Sequence, residues 1–247
     1  MPPNAWRLSA LEFHVAWRAM DRDRLPFPLT LTSTAATEFE FEQQRAAAAG
    51  ALYERLRVDD TMFRALHALV EPLVRVELLG HLPGERRLRM SAGIDNDLGA
   101  LATQDEDGSV VLALRPHAHV VRRVLAVLPE CPPGTGPGFR AHPEELRPDE
   151  NGARGRSHAL TPRAQAVRLL EGPHRCYTEI RVDIGPALDG WQEGGEVLQV
   201  VDREDGRYLV TRTHVVEAVS GTPERLAAEL GARVEVALEK AREPLRR

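Results

Sequence analysis

Pro132-Pro133-Gly134-Thr135-Gly136-Pro137-Gly138 starts like a phosphate cradle. Such a loop must end on glycine, lysine and a hydroxyl residue, so that the lysine reaches the phosphates and the hydroxyl holds magnesium. Pro137 and Gly138 stand where the lysine and hydroxyl residue should be. No apolar strand directly precedes the passage and no helical pattern directly follows, so it reads as a proline-stiffened loop. His117 and His119 share one face if they lie on a strand, which suits a metal. After Pro116 they fall at the start of a helix, where that spacing splays them apart, and no third ligand accompanies them. Cys131 and Cys176 are too isolated for a zinc site. No Gly-x-Ser-x-Gly elbow occurs. Glu38, Glu40 and Glu42 fall in the first turns of a helix, where carboxylates favour the helix dipole. Asp105-Glu106-Asp107 forms a solvated hairpin tip. These residues lead us to expect no catalytic group, no metal and no cofactor.

The composition sets further bounds. The chain has 247 residues, a formal charge of -5, 43% apolar and 28% charged residues. That length suits one large domain or two small ones with a real core. A mildly acidic chain without a long basic run is a poor candidate for non-specific nucleic-acid binding. No apolar run approaches the roughly 20 residues that cross a bilayer. Met1-Pro2-Pro3-Asn4 lacks the features of a signal peptide, and two isolated thiols suit a reducing compartment, so the expected location is the cytoplasm. Lys240 is the only lysine, against 31 arginines, so chemistry needing a lysine has one candidate.

Periodicity supplies the elements that would position any site. A short strand or turn leads into a helix across Leu8 to Met20, and Leu25-Pro26-Phe27-Pro28-Leu29 is an extended connector. Thr37 with Glu40 reads as a capping box for a helix running to about Arg57. Asp59 or Asp60 caps a second helix with Met62, Phe63, Leu66, Leu69, Val70 and Leu73 along one face. The period then falls to two at Val74-Val76-Leu78, at Leu88-Met90-Ala92-Ile94 and, after the Asp107-Gly108 turn, at Val110-Leu112-Leu114. A helix follows over His119 to Leu128. Residues 130–156 form a long Pro/Gly-rich loop with a short helix near Glu144–Leu146. Thr161 caps a helix to about Gly172, strands follow over 180–184, 197–202, 207–213 and 215–219, and Thr222 with Pro223 opens a last helix. The order repeats: helices, antiparallel strands, a closing helix. The expectation is one domain of two pseudo-equivalent halves, about 1–129 and 157–247.

The order and punctuation resemble the EspG family, cytosolic chaperones of type VII (ESX) secretion. The resemblance is carried by Leu11-Glu12-Phe13 through Trp17, Leu25-Pro26-Phe27-Pro28-Leu29, Leu56-Arg57-Val58-Asp59 and Val70-Glu71-Pro72-Leu73. Val127-Leu128-Pro129, Pro133-Gly134-Thr135-Gly136 and Asp205-Gly206-Arg207-Tyr208-Leu209 complete it. It implies an α+β fold with a central antiparallel sheet, helical bundles and pseudo-two-fold halves. It also implies a non-catalytic protein without a cofactor that binds PE–PPE-like heterodimers and shields an apolar helical tip before export.

In that family the loop between the second and third strands and the C-terminal half contribute to the client groove. The corresponding loop here spans 80–86, which makes Leu82, Pro83, Glu85 and Arg86 candidate contacts. Leu82 is either an apolar anchor or a turn residue packed back on the sheet. Trp191, in a Gly/Asp-rich loop, is either an exposed anchor or a core cap. Arg207 and Tyr208 flank a hairpin turn as surface contacts or as fold markers. Two other readings stay open: a small-molecule enzyme with a cleft beside the 129–157 loop, and a two-sided adaptor.

Overall fold

A computed structural model describes residues 4–147, 161–187 and 196–243. Its elements run β1 (Ala5–Leu8), α1 (Ala10–Ala19), α2 (Glu38–Leu56), α3 (Asp60–Val70), β2 (Val74–His81), β3 (Arg87–Ile94), β4 (Leu98–Gln104), β5 (Val110–Pro116) and α4 (Val120–Leu125). They continue with β6 (Phe139–Ala141), α5 (Pro162–Leu170), β7 (Cys176–Ile184), β8 (Glu196–Arg203), β9 (Gly206–Arg212), β10 (Val216–Ser220) and α6 (Pro223–Arg242). The strands form one antiparallel sheet of ten in the order β1-β5-β4-β3-β2-β7-β8-β9-β10-β6. Outward from the β2–β7 pair the order reads the same on both sides: a four-strand meander, then the strand that precedes that side's helices.

Capping starts most helices where the sequence places them. Ser9 and Glu12 make a reciprocal box at α1. Thr37 accepts from the Glu40 N–H at 3.1 Å, but Glu40 reaches back to Ala36 rather than to Thr37. Asp59, Thr161 and Thr222 cap α3, α5 and α6, with proline at the first position of the last two.

Each strand buries its alternate residues on opposite faces. Val74, Val76, Leu78, Met90, Ala92, Ile94, Ile180, Val182, Leu198 and Val200 pack under α4 and α6. On the other face α1, α2 and α3 cover β1, β4 and β5, while α5 covers β6, β8, β9 and β10. The first of these groups is seated closely: a Cβ on Gly93 of β3 would overlap the Ala68 carbonyl of α3.

Two elements differ from the sequence expectation. β4 escapes a period-two search because both its faces are buried, Ala100 and Ala102 under α3 and Leu101 under α4, leaving no polar alternation. The 130–156 segment is not all loop. Phe139–Ala141 pairs with β10 as an edge strand, while Pro143–Leu146 forms a short 3-10 turn where the sequence places a short helix. Gly138 permits the edge pairing, since a Cβ there would overlap the Ala218 carbonyl.

The Gly93 contact generates a prediction. Gly93→Ala forces α3 off the sheet and lowers stability by about 1–3 kcal/mol, measured as a fall in the urea midpoint. An unchanged midpoint would show that α3 does not seat on β3 this closely.

Candidate functional site

The helices on the second face form two groups, with a strip of β2, β3 and β7 between them. Its side chains are those the α4–α6 core does not take: Arg75, Glu77, Leu79 and His81 on β2, Arg87, Arg89 and Ser91 on β3, and Tyr177, Glu179, Arg181 and Asp183 on β7. Glu179 is exposed in mid-strand, so the described residues leave this part of the sheet open. The strip is a shallow groove floored by polar side chains.

One end of the floor is a buried ion network. Arg75 meets Asp183 at 3.0 Å and Glu77 at 3.3 Å, and donates to the carbonyls of Gly185 and Pro186 at 3.0 and 3.2 Å. Arg181 meets Asp183 at 2.8 Å. Burial raises the Glu77 carboxyl above its ordinary value despite the opposing field of Arg75. At the other end, Tyr177 Oη donates to Glu179 at 2.7 Å, Gln199 Nε2 donates to the same oxygen at 3.1 Å, and Arg212 Nε donates to Gln199 at 3.1 Å. Burial and the bond to Glu179 push the Tyr177 phenol up. Beside them lies a cavity of about 390 Å³ lined by His81, Leu170, His174, Tyr177, Gln199 and Arg212.

The expected contact residues divide into three groups. Leu82, Pro83, Glu85 and Arg86 form the β2–β3 tip at the cavity end of the groove. Pro83, Glu85 and Arg86 are exposed, and Leu82 is half-buried. Gly84 and Glu85 take positive φ, and the Leu82 N–H donates to the Arg86 carbonyl at 3.0 Å, closing the turn. Arg86 pairs with Glu106 on the neighbouring β4–β5 turn. Arg207 and Tyr208, by contrast, are 8% and 1% exposed. Arg207 forks onto Asp202 at 2.6 and 2.7 Å and donates to the Pro129 carbonyl, while the Tyr208 hydroxyl donates to Asp205 and accepts from the Gly136 N–H. In this fold they anchor the 129–138 segment, and their polar groups are satisfied internally. Trp191 lies outside the described residues.

Sequence reasoning missed the groove residues themselves. Their signal was the charged half of the alternation, Arg75-x-Glu77 and Glu179-x-Arg181-x-Asp183, on strands in mid-sheet where a covered face would be apolar.

The phosphate-cradle lookalike is accounted for as well. Gly134 lies against the Tyr208 ring, where a Cβ would overlap it. A second cavity, about 360 Å³, lies beside this segment and is lined by Arg168, Arg203, Asp205 and Tyr208 among others. Its Asp205 is engaged by Tyr208. Among the described residues no group of three His, Cys, Asp or Glu is placed to hold a metal ion, and no helix is long and apolar enough to cross a membrane.

Residues 9–232 match the model of the EspG family. The chain belongs to the EspG family. Among solved structures the fold is similar to that of EspG5, the type VII secretion system chaperone of Mycobacterium tuberculosis, determined in complex with a PE25–PPE41 dimer. The TM-score is 0.58 at 11% identity, covering 91% of this chain and 93% of that one. No curated protein sequence matches the chain. At so low an identity the likeness to EspG5 is one of fold.

The raised Glu77 carboxyl makes stability depend on pH. The folded state holds that proton more tightly than the unfolded chain, so Glu77's contribution is full below its ordinary value and is lost as pH rises through the raised one. Glu77→Gln removes this loss. The stability of the variant relative to the native chain should therefore increase with pH across that window, read from urea titrations between about pH 4 and about pH 8. A difference independent of pH would contradict the burial assigned to Glu77.

Proposed function

We propose that this chain is a cytoplasmic type VII secretion chaperone that holds a PE–PPE-like heterodimer before export. Membership of the EspG family over residues 9–232 carries the reading. The open groove and its projecting tip agree with it, as does the pairing of a similar fold with a PE–PPE dimer in the EspG5 structure. The mechanism is capture without a covalent step. An apolar helical tip left in water favours self-association, and a partner that covers it stabilises the dispersed form by mass action. No residue in the groove is called on to react, and no cofactor is needed.

We assign the client contact to the Leu82–Arg86 tip and the adjoining groove. The chain acts as a single domain whose two halves meet at β2 and β7, a reading supported by the mirrored strand order. Phe139–Ala141 then begins the second half as Ala5–Leu8 begins the first.

Co-expression with PE–PPE-like pairs, followed by light scattering, tests this. The expected result is one complex of defined stoichiometry. Leu82→Asp on the tip should weaken that complex about tenfold or more by burying a charge against the client, with the free fold unchanged by circular dichroism. Elution of every candidate pair apart from this chain would overturn the reading.

A further inference from the structure

The groove carries an imbalance of charge that the fold does not use. Its carboxylates are all engaged: Glu77 and Asp183 by Arg75 and Arg181, Glu179 by Tyr177 and Gln199. Arg87, Arg89 and Arg212 have no carboxylate partner among the described residues. Arg212 spends only its Nε, on Gln199. Arg87 and Arg89 stand one residue apart on β3, opposite His81 and Leu79. Arg212 lines the cavity and Arg87 and Arg89 flank its His81 from β3, so their positive field reaches that end of the groove. The field is felt locally: His81 titrates below its ordinary value through burial first, then through Arg87 and, more weakly, His174 and Arg89, against Glu179.

The positions of these cations carry the argument further. β3 and β9 are four strand steps apart across β2, β7 and β8, about 19 Å at 4.8 Å per step. Arg87 and Arg89 therefore line one bank of the groove and Arg212 the other, with Leu79, His81 and Tyr177 between them. An α-helix with its side chains is about 10–12 Å across and fits between the banks. Glu179 in the centre disfavours an acid there, which directs a client's acids to the flanks.

Resting on the chaperone reading above, we infer that the groove selects an amphipathic client helix with carboxylates flanking its apolar stripe, paired with Arg87 and Arg89 on one bank and Arg212 on the other. Arginine suits this role, because its fork meets a carboxylate in bidentate fashion.

Calorimetric titration of the full chain with its PE–PPE-like pair tests this. Native affinity should fall about tenfold between about 50 and about 300 mM NaCl as screening grows. Arg87→Glu/Arg89→Glu should lose about tenfold or more at low salt, and Arg212→Glu likewise, with the deficit against the native chain shrinking as salt is raised, because screening weakens both the lost attraction and the new repulsion. Native binding that ignores salt would overturn the inference even if a variant failed to fold, and would leave the chaperone reading intact. So would charge-reversed variants that fold and bind as the native chain does. No binding of any pair by the native chain would remove both readings. Binding of a single-stranded oligonucleotide as tight as that of the pair would overturn the assignment to a protein helix.

Discussion

Everything in this fold hangs on the antiparallel pairing of β2 with β7. Eight residues of β2, Val74 to His81, are in register with Ile184 to Tyr177, and these pairs are the seam that joins two four-strand meanders into one sheet. Each strand serves two environments at once. Val74, Val76, Leu78, Ile180 and Val182 sink into the core under α4 and α6, where removing a large side chain costs several kcal/mol. The intervening residues point the other way, into the gap between the two helical groups. A one-residue slip would exchange the two sets on the slipped strand and put Arg75 and Glu77, or Glu179, Arg181 and Asp183, into the core, so the register is specified strongly.

The groove follows from that constraint. A sheet ten strands wide needs cover on both faces, but on one face the helices fall into two groups. The strip between them must tolerate water, and its residues do. Where the strip is buried, around Arg75, the chain satisfies the charges with two carboxylates and backbone carbonyls. Such a network contributes more to a unique register than to stability, because desolvation offsets much of the attraction. Where it is open, around Glu179 and Arg212, the side chains are linked by single hydrogen bonds and leave donors free. The Leu82–Arg86 tip, tied to the next hairpin through Arg86 and Glu106, frames that open end.

Much of this was legible in the sequence. Helix caps at Asp59, Thr161 and Thr222 are local chemistry, and the Asp-Gly turns before β5 and β9 are set by glycines at positive φ. The family was legible in the order of short motifs. β4 was not, since burial on both faces erases alternation, and β6 was not, since a three-residue edge strand among prolines has no period. Arg207 and Tyr208 stood out in the sequence, yet their prominence belongs to the fold, because they hold the 129–138 segment against β9. The groove was hidden for the opposite reason. Arg87, Arg89, Glu179 and Arg212 look like ordinary solvent-facing residues until the sheet order shows that they lie on one face, spread across the middle strands.

Amide hydrogen exchange of the free and client-bound protein tests the central claim most directly. The claim is that the groove face, and not the face under α4 and α6, receives the client. The account predicts that exchange slows at the Leu82–Arg86 tip on binding, while peptides of α6 exchange as they do in the free protein. Protection confined to α6, with the tip unchanged, would contradict it.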